Sequence, residues 1–243
     1  MVYSANENAA AEAADGISAQ VFEAQKRRLE TDGFLYVEDL PENFDHLAFA
    51  QRFGTLMPQY DGEIVWSIKA DPKFDDHYHS LNTKKLNPHT ECYEFEGTPP
   101  RYLALWCVHP ASCGGGMTTL ADGYRFIEQL SDSEKRYVSE KRFPYCSSSG
   151  IQASNLGRVA EHPMYDTTSG DRPIVRYSFN CMQRDNDERM EDIALRFKQF
   201  FHDTCVGIEW KRNAFLIWDN FRILHSRTAY EDRARELRRV WLS

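Results

Sequence analysis

Regularly spaced apolar residues predict a long amphipathic helix over residues 187–203. The apolar positions recur every three or four residues and fall on one stripe, formed by Met190, Ile193, Ala194, Phe197 and Phe201. Such a stripe is more typical of packing against a sheet than of a groove for a partner. Shorter helical patterns, each with a capping residue, predict four further helices. They are residues 18–28 capped by Ser18 and stopped by residues 31–33, a helix capped by Asn43 or Asp45 that runs to Phe53 and ends at Gly54, residues 124–130 capped by Asp122, and a helix opened by a capping box of Ser131 and Glu134.

Short apolar runs rich in β-branched and aromatic residues predict one early strand and a chain that is rich in strands from Ile64 onward. The predicted strands cover residues 34–37, 64–68, 89–95, 102–108, 117–120, 174–179, 208–211, 214–218 and 237–241. Many short strands, with helices early in the chain and in one late insertion, are typical of a double-stranded β-helix, or jelly roll, flanked by helices. We therefore predict a mainly β fold in a single domain over residues 17–243, preceded by a mobile leader over residues 1–16.

The composition narrows the class of protein. The chain has 243 residues, of which 42% are hydrophobic and 13% aromatic, and its formal net charge is −8. It has no apolar run long enough for a transmembrane helix, and its acidic balance disfavours nucleic acid and anionic membranes as partners. The N-terminal region lacks the apolar stretch of a secretory signal, and the six cysteines have no CxxC spacing, which is typical of reduced thiols. These features predict a soluble, cytoplasmic protein, and they leave its oligomeric state open.

The most informative polar residues are His89, Glu91 and the distant His225. Side chains alternate faces along a strand, so His89 and Glu91 can reach one ion while Thr90 faces elsewhere. His225 would then come from a strand brought alongside by the fold. Two imidazoles and one carboxylate on one face of an octahedral ion leave the other positions open, as a non-haem Fe(II) oxygenase requires. The pattern therefore favours an iron enzyme.

Other candidate sites are weaker. His77 and His79 also have the i, i+2 spacing of a strand, but no third ligand accompanies them in a matching context, which favours a polar loop at a pocket entrance. The glycines 114–116 lack the lysine of a phosphate-binding loop and are more typical of a tight turn beside a pocket. The chain has no GxSxG motif, so a hydrolase is less favoured.

Four segments resemble the clavaminate synthase-like and taurine dioxygenase-like branch of the Fe(II)/2-oxoglutarate dioxygenases. They are residues 88–91, 115–122, 218–225 and 235–241, and the resemblance spans the chain from Gly33 onward. It implies that His89, Glu91 and His225 bind Fe(II) and that 2-oxoglutarate and O2 are the cosubstrates. It also implies that Thr118 and one arginine hold 2-oxoglutarate, while a second arginine four residues further on meets an acidic substrate.

Arg235 and Arg239 match these two arginines. Further arginines give the acidic chain a cationic region near its C-terminus, and they are Arg222, Arg227, Arg233 and Arg238. The local pattern RxLxRV places Arg235 first, so we assign Arg235 to 2-oxoglutarate and Arg239 to the substrate, although the two roles could be exchanged. A solvated basic strip is the alternative for the whole cluster, and a structural salt bridge is the alternative for Arg239.

The predicted function is the oxidation of a small, amino-acid-like or carboxylate-bearing metabolite, with release of succinate and CO2. Related halogenases have a small residue in place of the carboxylate ligand, so Glu91 favours hydroxylation, desaturation or ring formation. Two alternatives remain open: the same chemistry on a carrier-tethered or larger substrate, and a jelly-roll binding protein without turnover.

Overall fold

The computed structural model describes residues 16–169 and 171–243, and every pairing of strands within these residues is antiparallel. Its helices are α1 (Ala19–Asp32), α2 (His46–Gln51), α3 (Gly123–Gln129), α4 (Asp132–Glu140), α5 (Ser149–Ala153) and α6 (Glu188–Thr204), with a 3-10 helix at Pro72–Phe74. Its strands are β1 (Phe34–Val37), β2 (Leu56–Met57), β3 (Trp66–Lys69), β4 (Leu86–His89), β5 (Tyr102–His109), β6 (Thr118–Asp122), β7 (Arg142–Cys146), β8 (Val159–Pro163), β9 (Tyr165–Asp166), β10 (Ile174–Val175), β11 (Val206–Ile208), β12 (Phe215–Asp219), β13 (Ile223–Arg227) and β14 (Glu236–Leu242). The predicted leader lies outside the described residues except for Gly16.

Two antiparallel sheets carry the site. The larger has the strand order β1-β12-β5-β14-β2, with β3 also paired to β14, and the smaller has the order β11-β6-β13-β4. Apolar side chains from both sheets belong to one buried cluster, with Leu105 and Trp218 from the larger sheet and Leu120 and Ile223 from the smaller. The two inner faces therefore bury each other's apolar side chains, as in a jelly roll.

Helices cover the outer faces of both sheets. Phe22 and Leu29 of α1 and Phe49 of α2 pack in the cluster on the outer side of the larger sheet. The predicted apolar stripe of α6 is buried against the smaller sheet and α3, where Phe197 stacks on Phe126 with ring centroids 4.2 Å apart. The prediction that this stripe packs against a sheet is confirmed. None of the described helices is long and apolar enough to cross a bilayer.

The predicted N-terminal caps of the helices are confirmed, whereas the helix end predicted at Gly54 is wrong. The side chains that accept backbone N–H groups at the starts of α1, α3 and α4 are those of Ser18, Asp122 and Ser131. Asp45, rather than Asn43, caps α2. Gly54 does not end this helix, which stops earlier; a Cβ at Gly54 would lie 2.3 Å from the carbonyl oxygen of Ser243. The glycine is therefore needed for the close approach of the last residue.

The predicted strand 89–95 is wrong. β4 ends at His89 and a turn follows, in which Cys92 has a φ of +57°. The backbone N–H of Glu91 donates to Oδ1 of Asn220 at 2.7 Å, and Nδ2 of Asn220 donates to the Glu91 carbonyl at 3.1 Å. Because this buried amide pairs with both backbone groups of Glu91, the chain can leave the sheet there without leaving these two groups unsatisfied.

Other predicted strands are shifted or shorter. The predicted strand 174–179 is reduced to β10 and a single bridge between Ser178 and His89. β11 ends at Ile208, where a strand is predicted to begin. The hairpin of β7 and β8 is not apparent in the sequence because Pro144 lies within β7, and a proline inside an apolar run argues against a strand.

Candidate metal and substrate site

The three predicted metal ligands lie together. His89 ends β4 and is directly opposite His225 of β13 in the register of the smaller sheet. Glu91 reaches both from the turn after β4, and its Oε2 lies 4.0 Å from Nε2 of His89 and 3.7 Å from Nε2 of His225. Among the described residues, these three form the one group of at least three His, Cys, Asp or Glu side chains that could hold a metal ion, with donor atoms within 4.8 Å of one another. We call them the metal triad.

Both histidines of the triad are suited to bind a metal through Nε2. Nδ1 of His89 lies 2.8 Å from the carbonyl oxygen of Asn87, which favours a proton on Nδ1 and leaves the Nε2 lone pair free. Burial lowers the pKa of His89 to about 4 and holds the pKa of His225 well below its ordinary value. The imidazoles are therefore neutral at neutral pH, which is the form that ligates metals.

The carboxylate of Glu91 has a different partner at each oxygen. Oε2 faces the histidines, whereas Oε1 accepts a hydrogen bond from Nη1 of Arg239 at 2.6 Å. Burial raises the pKa of Glu91, and the charge of Arg239 opposes this shift. Gln59 fixes Arg239 in turn: its Oε1 accepts from Nε at 2.8 Å, and its Nε2 donates to the Arg239 carbonyl at 2.9 Å. These hydrogen bonds hold the Glu91 carboxylate with one oxygen directed toward the imidazoles.

Two cavities meet at the metal triad. One, which we call the Arg235 cavity, has about 480 Å³ of empty space and is also lined by Thr118, Arg235 and apolar residues between the sheets. The other, which we call the Glu94 cleft, has about 470 Å³ and is also lined by Glu94 and His79. The residues common to both walls are Ser80, Leu86, His89, Glu91 and Arg239.

Arg235 is a buried cation without a carboxylate partner among the described residues. Its side chain is 1% exposed, and Nη2 donates to the Gly116 carbonyl at 2.8 Å, but Nε and Nη1 are buried and unpaired. Burial lowers the pKa of Arg235, yet a guanidinium remains charged in proteins. A buried cation with a free Nη1 donor fits a ligand carboxylate. Thr118 lines the same cavity, where its Oγ1 accepts from Nε1 of Trp210 at 3.1 Å.

The glycine turn predicted at residues 114–116 packs against this arginine. Gly114 and Gly115 have φ of +74° and Gly116 has φ of +65°. A Cβ at Gly116 would lie 2.7 Å from Nε of Arg235, and one at Gly115 would lie 2.2 Å from the carbonyl oxygen of Ala229. The run of glycines therefore gives the turn its left-handed backbone and lets Arg235 approach it closely.

The rival pair His77 and His79 does not form a metal site within the described residues. His79 stacks on Phe74 with ring centroids 4.1 Å apart, and its Nδ1 accepts the backbone N–H of Leu81 at 2.9 Å. Burial lowers the pKa of His79 to about 3, so the ring is neutral. The predicted position near a pocket is confirmed for His79, which lines the Glu94 cleft.

Sequence analysis misses four residues that shape the site: Gln59, Glu94, Asn220 and, in its specific role, Arg227. Arg227 is buried and donates to the carbonyl oxygens of Ser80 and Lys84, which fixes a segment in the wall of both cavities. Gln59 lies 180 residues from Arg239 in the chain and carries no local signal. The one feature of the sequence that could have indicated Glu94 is its position three residues after Glu91.

Comparisons of the sequence with known proteins identify one family. A model described as "Taurine catabolism dioxygenase TauD, TfdA family" matches residues 6–241. Human gamma-butyrobetaine dioxygenase is 22% identical over 193 residues, which cover 74% of this chain and 48% of that protein. An alpha-ketoglutarate-dependent sulfonate dioxygenase of Saccharomyces cerevisiae is 25% identical over 219 residues, which cover 79% and 49%. The chain thus spans about half the length of these relatives.

Solved structures share the fold. An asparagine oxygenase in complex with Fe(II), 3-hydroxyasparagine and succinate matches with a TM-score of 0.75 at 20% identity, covering 92% of this chain and 78% of that one. The non-haem iron oxygenase OrfP in complex with Fe and alpha-ketoglutaric acid matches with a TM-score of 0.71 at 15% identity, covering 94% and 81%. These matches confirm the predicted mainly β, jelly-roll fold.

Proposed function

Because this chain belongs to the TauD/TfdA family of dioxygenases, we propose that it is an Fe(II)- and 2-oxoglutarate-dependent dioxygenase acting on a small metabolite. The family match confirms the resemblance seen in the sequence, and the cofactors named for its structural neighbours agree with the predicted ones. Its assignment to the clavaminate synthase-like branch stays a prediction. One observation carries the proposal: the metal triad lies where two cavities meet, and one of them is lined by a buried arginine that has no carboxylate partner among the described residues.

Different residues of this chain would bind the metal and the cosubstrate. His89, Glu91 and His225 would hold Fe(II), which with 2-oxoglutarate and O2 supplies the oxidation of a C–H bond and releases succinate and CO2. Arg235 would pair with the remote carboxylate of 2-oxoglutarate, because it is a buried cation in the wall of the Arg235 cavity, its Nη1 is free, and it has no carboxylate partner among the described residues. Thr118 would add a hydroxyl in the same cavity.

The Glu94 cleft is the proposed substrate site. It is lined by His89 and Glu91 of the metal triad, so a small metabolite bound there would lie beside the metal. Arg239 borders the cleft and is proposed to meet an anionic group of the substrate. The guanidinium is paired with Glu91 at 2.6 Å, so the structural salt bridge considered for Arg239 exists. A substrate anion would share this cation, whose Nη2 makes no hydrogen bond within the described residues.

Two further proposals concern the cellular location and the domain organisation of the enzyme. We propose a cytoplasmic location and a single catalytic domain over residues 17–243. The free state of all six cysteines supports a reducing compartment. The common buried cluster between the two sheets supports a single domain.

Anaerobic titration with 2-oxoglutarate tests the cosubstrate site. Adding Fe(II) and then 2-oxoglutarate to wild type is expected to produce a metal-to-ligand charge-transfer band. Arg235→Leu should weaken 2-oxoglutarate binding by about 2–5 kcal/mol, because a desolvated carboxylate loses its charged partner. Arg233→Leu is the matched control, since Arg233 is an exposed arginine paired with Asp75.

Two outcomes would change the assignment. Unaltered 2-oxoglutarate affinity in Arg235→Leu with a large loss in Arg239→Leu would exchange the roles of the two arginines. Absence of the band in iron-loaded wild type would overturn the proposed function. Succinate release with a metabolite library then identifies the substrate, and amides of each accepted acid test for the proposed anionic group.

A further inference from the structure

Glu94 is a buried carboxylate that the proposed roles do not use. It is 1% exposed and lies in the turn that follows Glu91. Its Oε1 accepts two hydrogen bonds, from the hydroxyl of Tyr60 at 2.8 Å and from the hydroxyl of Ser147 at 2.9 Å. Its Oε2 is buried and has no partner among the described residues.

Among the residues that the structure describes, no cation pairs with this carboxylate. Glu94 takes part in no ion pair within the described residues, and Arg239, the arginine in the wall of the same cleft, is paired with Glu91. A carboxylate removed from water without a partner is costly, so it either takes up a proton or acquires a cation. Burial also raises the pKa of Glu94, because removal from water disfavours its charged form.

The position of Glu94 relates this unpaired group to the reaction centre. Glu94 lines the cleft that His89 and Glu91 also line, so a ligand in the cleft can contact Glu94 while another of its atoms lies beside the metal triad. Both hydroxyl donors are directed at Oε1. The remaining oxygen, Oε2, has no donor within the described residues and can therefore accept a hydrogen bond from a ligand.

We propose that Glu94 is a specificity-determining residue that accepts an N–H of a primary or secondary ammonium group on the substrate. The proposal rests on the proposed function, because the ligand is the molecule oxidised at the neighbouring metal. A charged N–H donor forms a stronger hydrogen bond with a carboxylate than a neutral donor does, and it also supplies the missing positive charge. A quaternary ammonium has no N–H and leaves Oε2 unsatisfied.

The test is ligand binding to the anaerobic holoenzyme loaded with Fe(II) and 2-oxoglutarate. The probes are the standard L-amino acids, taurine and 4-aminobutyrate, each beside its N-acetyl derivative, together with gamma-butyrobetaine as the trimethylated partner of 4-aminobutyrate. Binding is read from the shift of the charge-transfer band and from calorimetry. We expect at least one free amine to bind at millimolar concentration, and its N-acetyl derivative to bind at least about tenfold more weakly, equal to about 1.4 kcal/mol.

Variants then locate the effect. Glu94→Gln should lose about tenfold or more of the affinity for that amine, while Glu96→Gln, which removes an exposed carboxylate two residues away, should keep it. A Gln that binds as well as Glu would mean that Glu94 acts as a neutral acid, and this would overturn the proposal. Equal binding of amine and N-acetyl derivative in wild type would overturn it without any variant, and so would the failure of every amine to bind.

A failure of the proposed role of Glu94 can be distinguished from a failure of the proposed function. Formation of the charge-transfer band in wild type and in Glu94→Gln reports on the metal and 2-oxoglutarate alone. A normal band with no preference for amines would reject the role of Glu94 and leave the dioxygenase assignment standing.

Discussion

At the scale of single residues, the two oxygens of Glu91 have separate tasks. Oε2 faces the two imidazoles, and Oε1 is occupied by Arg239 at 2.6 Å. A carboxylate held in this way can offer one oxygen to a metal, because its rotation would break the ion pair with Arg239. Arginine is well suited to this task, since its planar fork stays charged when buried.

Replacement of any one member of the metal triad is expected to remove the iron. His89→Ala, Glu91→Ala and His225→Ala should each lose most of the bound metal and all turnover, because the described residues offer no further ligand at this place. Iron content of the purified variants, measured with their melting temperatures, provides the check. His202→Ala removes an exposed histidine of α6 and should retain full iron. Full occupancy in all three triad variants would contradict the assignment.

At the scale of elements, the turn after β4 marks the limit of what the sequence could predict. The spacing of His89 and Glu91 correctly predicted that the two side chains share one site, although the strand invoked for it ends at His89. The turn depends on hydrogen bonds from Asn220, 129 residues away, and no local pattern encodes them. Helix caps were predictable because each is a contact across three residues or fewer.

The glycine turn allows a test with two closely matched variants. Gly116→Ala should weaken 2-oxoglutarate binding, because the new Cβ would lie 2.7 Å from Nε of Arg235. Gly114→Ala meets nothing within 4 Å and should leave the cosubstrate affinity unchanged. Both positions have a left-handed backbone, so each alanine should lower the free energy of unfolding by about 1–2 kcal/mol.

Urea denaturation measures the stability of both glycine variants, and the anaerobic charge-transfer titration measures their affinity for 2-oxoglutarate. Equal 2-oxoglutarate affinities in the two variants would argue against a role of the Gly116 contact in placing Arg235.

At the scale of the whole molecule, buried neutral histidines couple stability to pH. The pKa of His79 is lowered to about 3 and that of His89 to about 4, in both cases mainly by burial. An unfolded histidine has a pKa of about 6.5 and therefore takes up a proton first as the pH falls. The stability that the folded state gains from keeping these histidines neutral is fully present above the unfolded pKa. It is lost as the pH falls from about 6.5 toward the pKa values of the folded state.

The metal-free protein is therefore expected to lose stability steadily between neutral pH and about pH 4. His79→Phe keeps an aromatic ring against Phe74 and removes the titrating group, so its unfolding free energy should depend less steeply on pH. His109→Ala, at an exposed position, should keep the wild-type slope. Urea midpoints across this range supply the measurement, and identical slopes in all three proteins would refute the contribution of His79.

Arg239 stands in the wall of both cavities, and this shared position links their occupants. A ligand in the Glu94 cleft that repositions this guanidinium also reshapes the Arg235 cavity. Thermodynamic reciprocity then requires that the factor by which this ligand changes the affinity for 2-oxoglutarate equals the factor by which 2-oxoglutarate changes the affinity for the ligand. A dissociation constant for either compound is thus defined only when the saturation of the other cavity is stated.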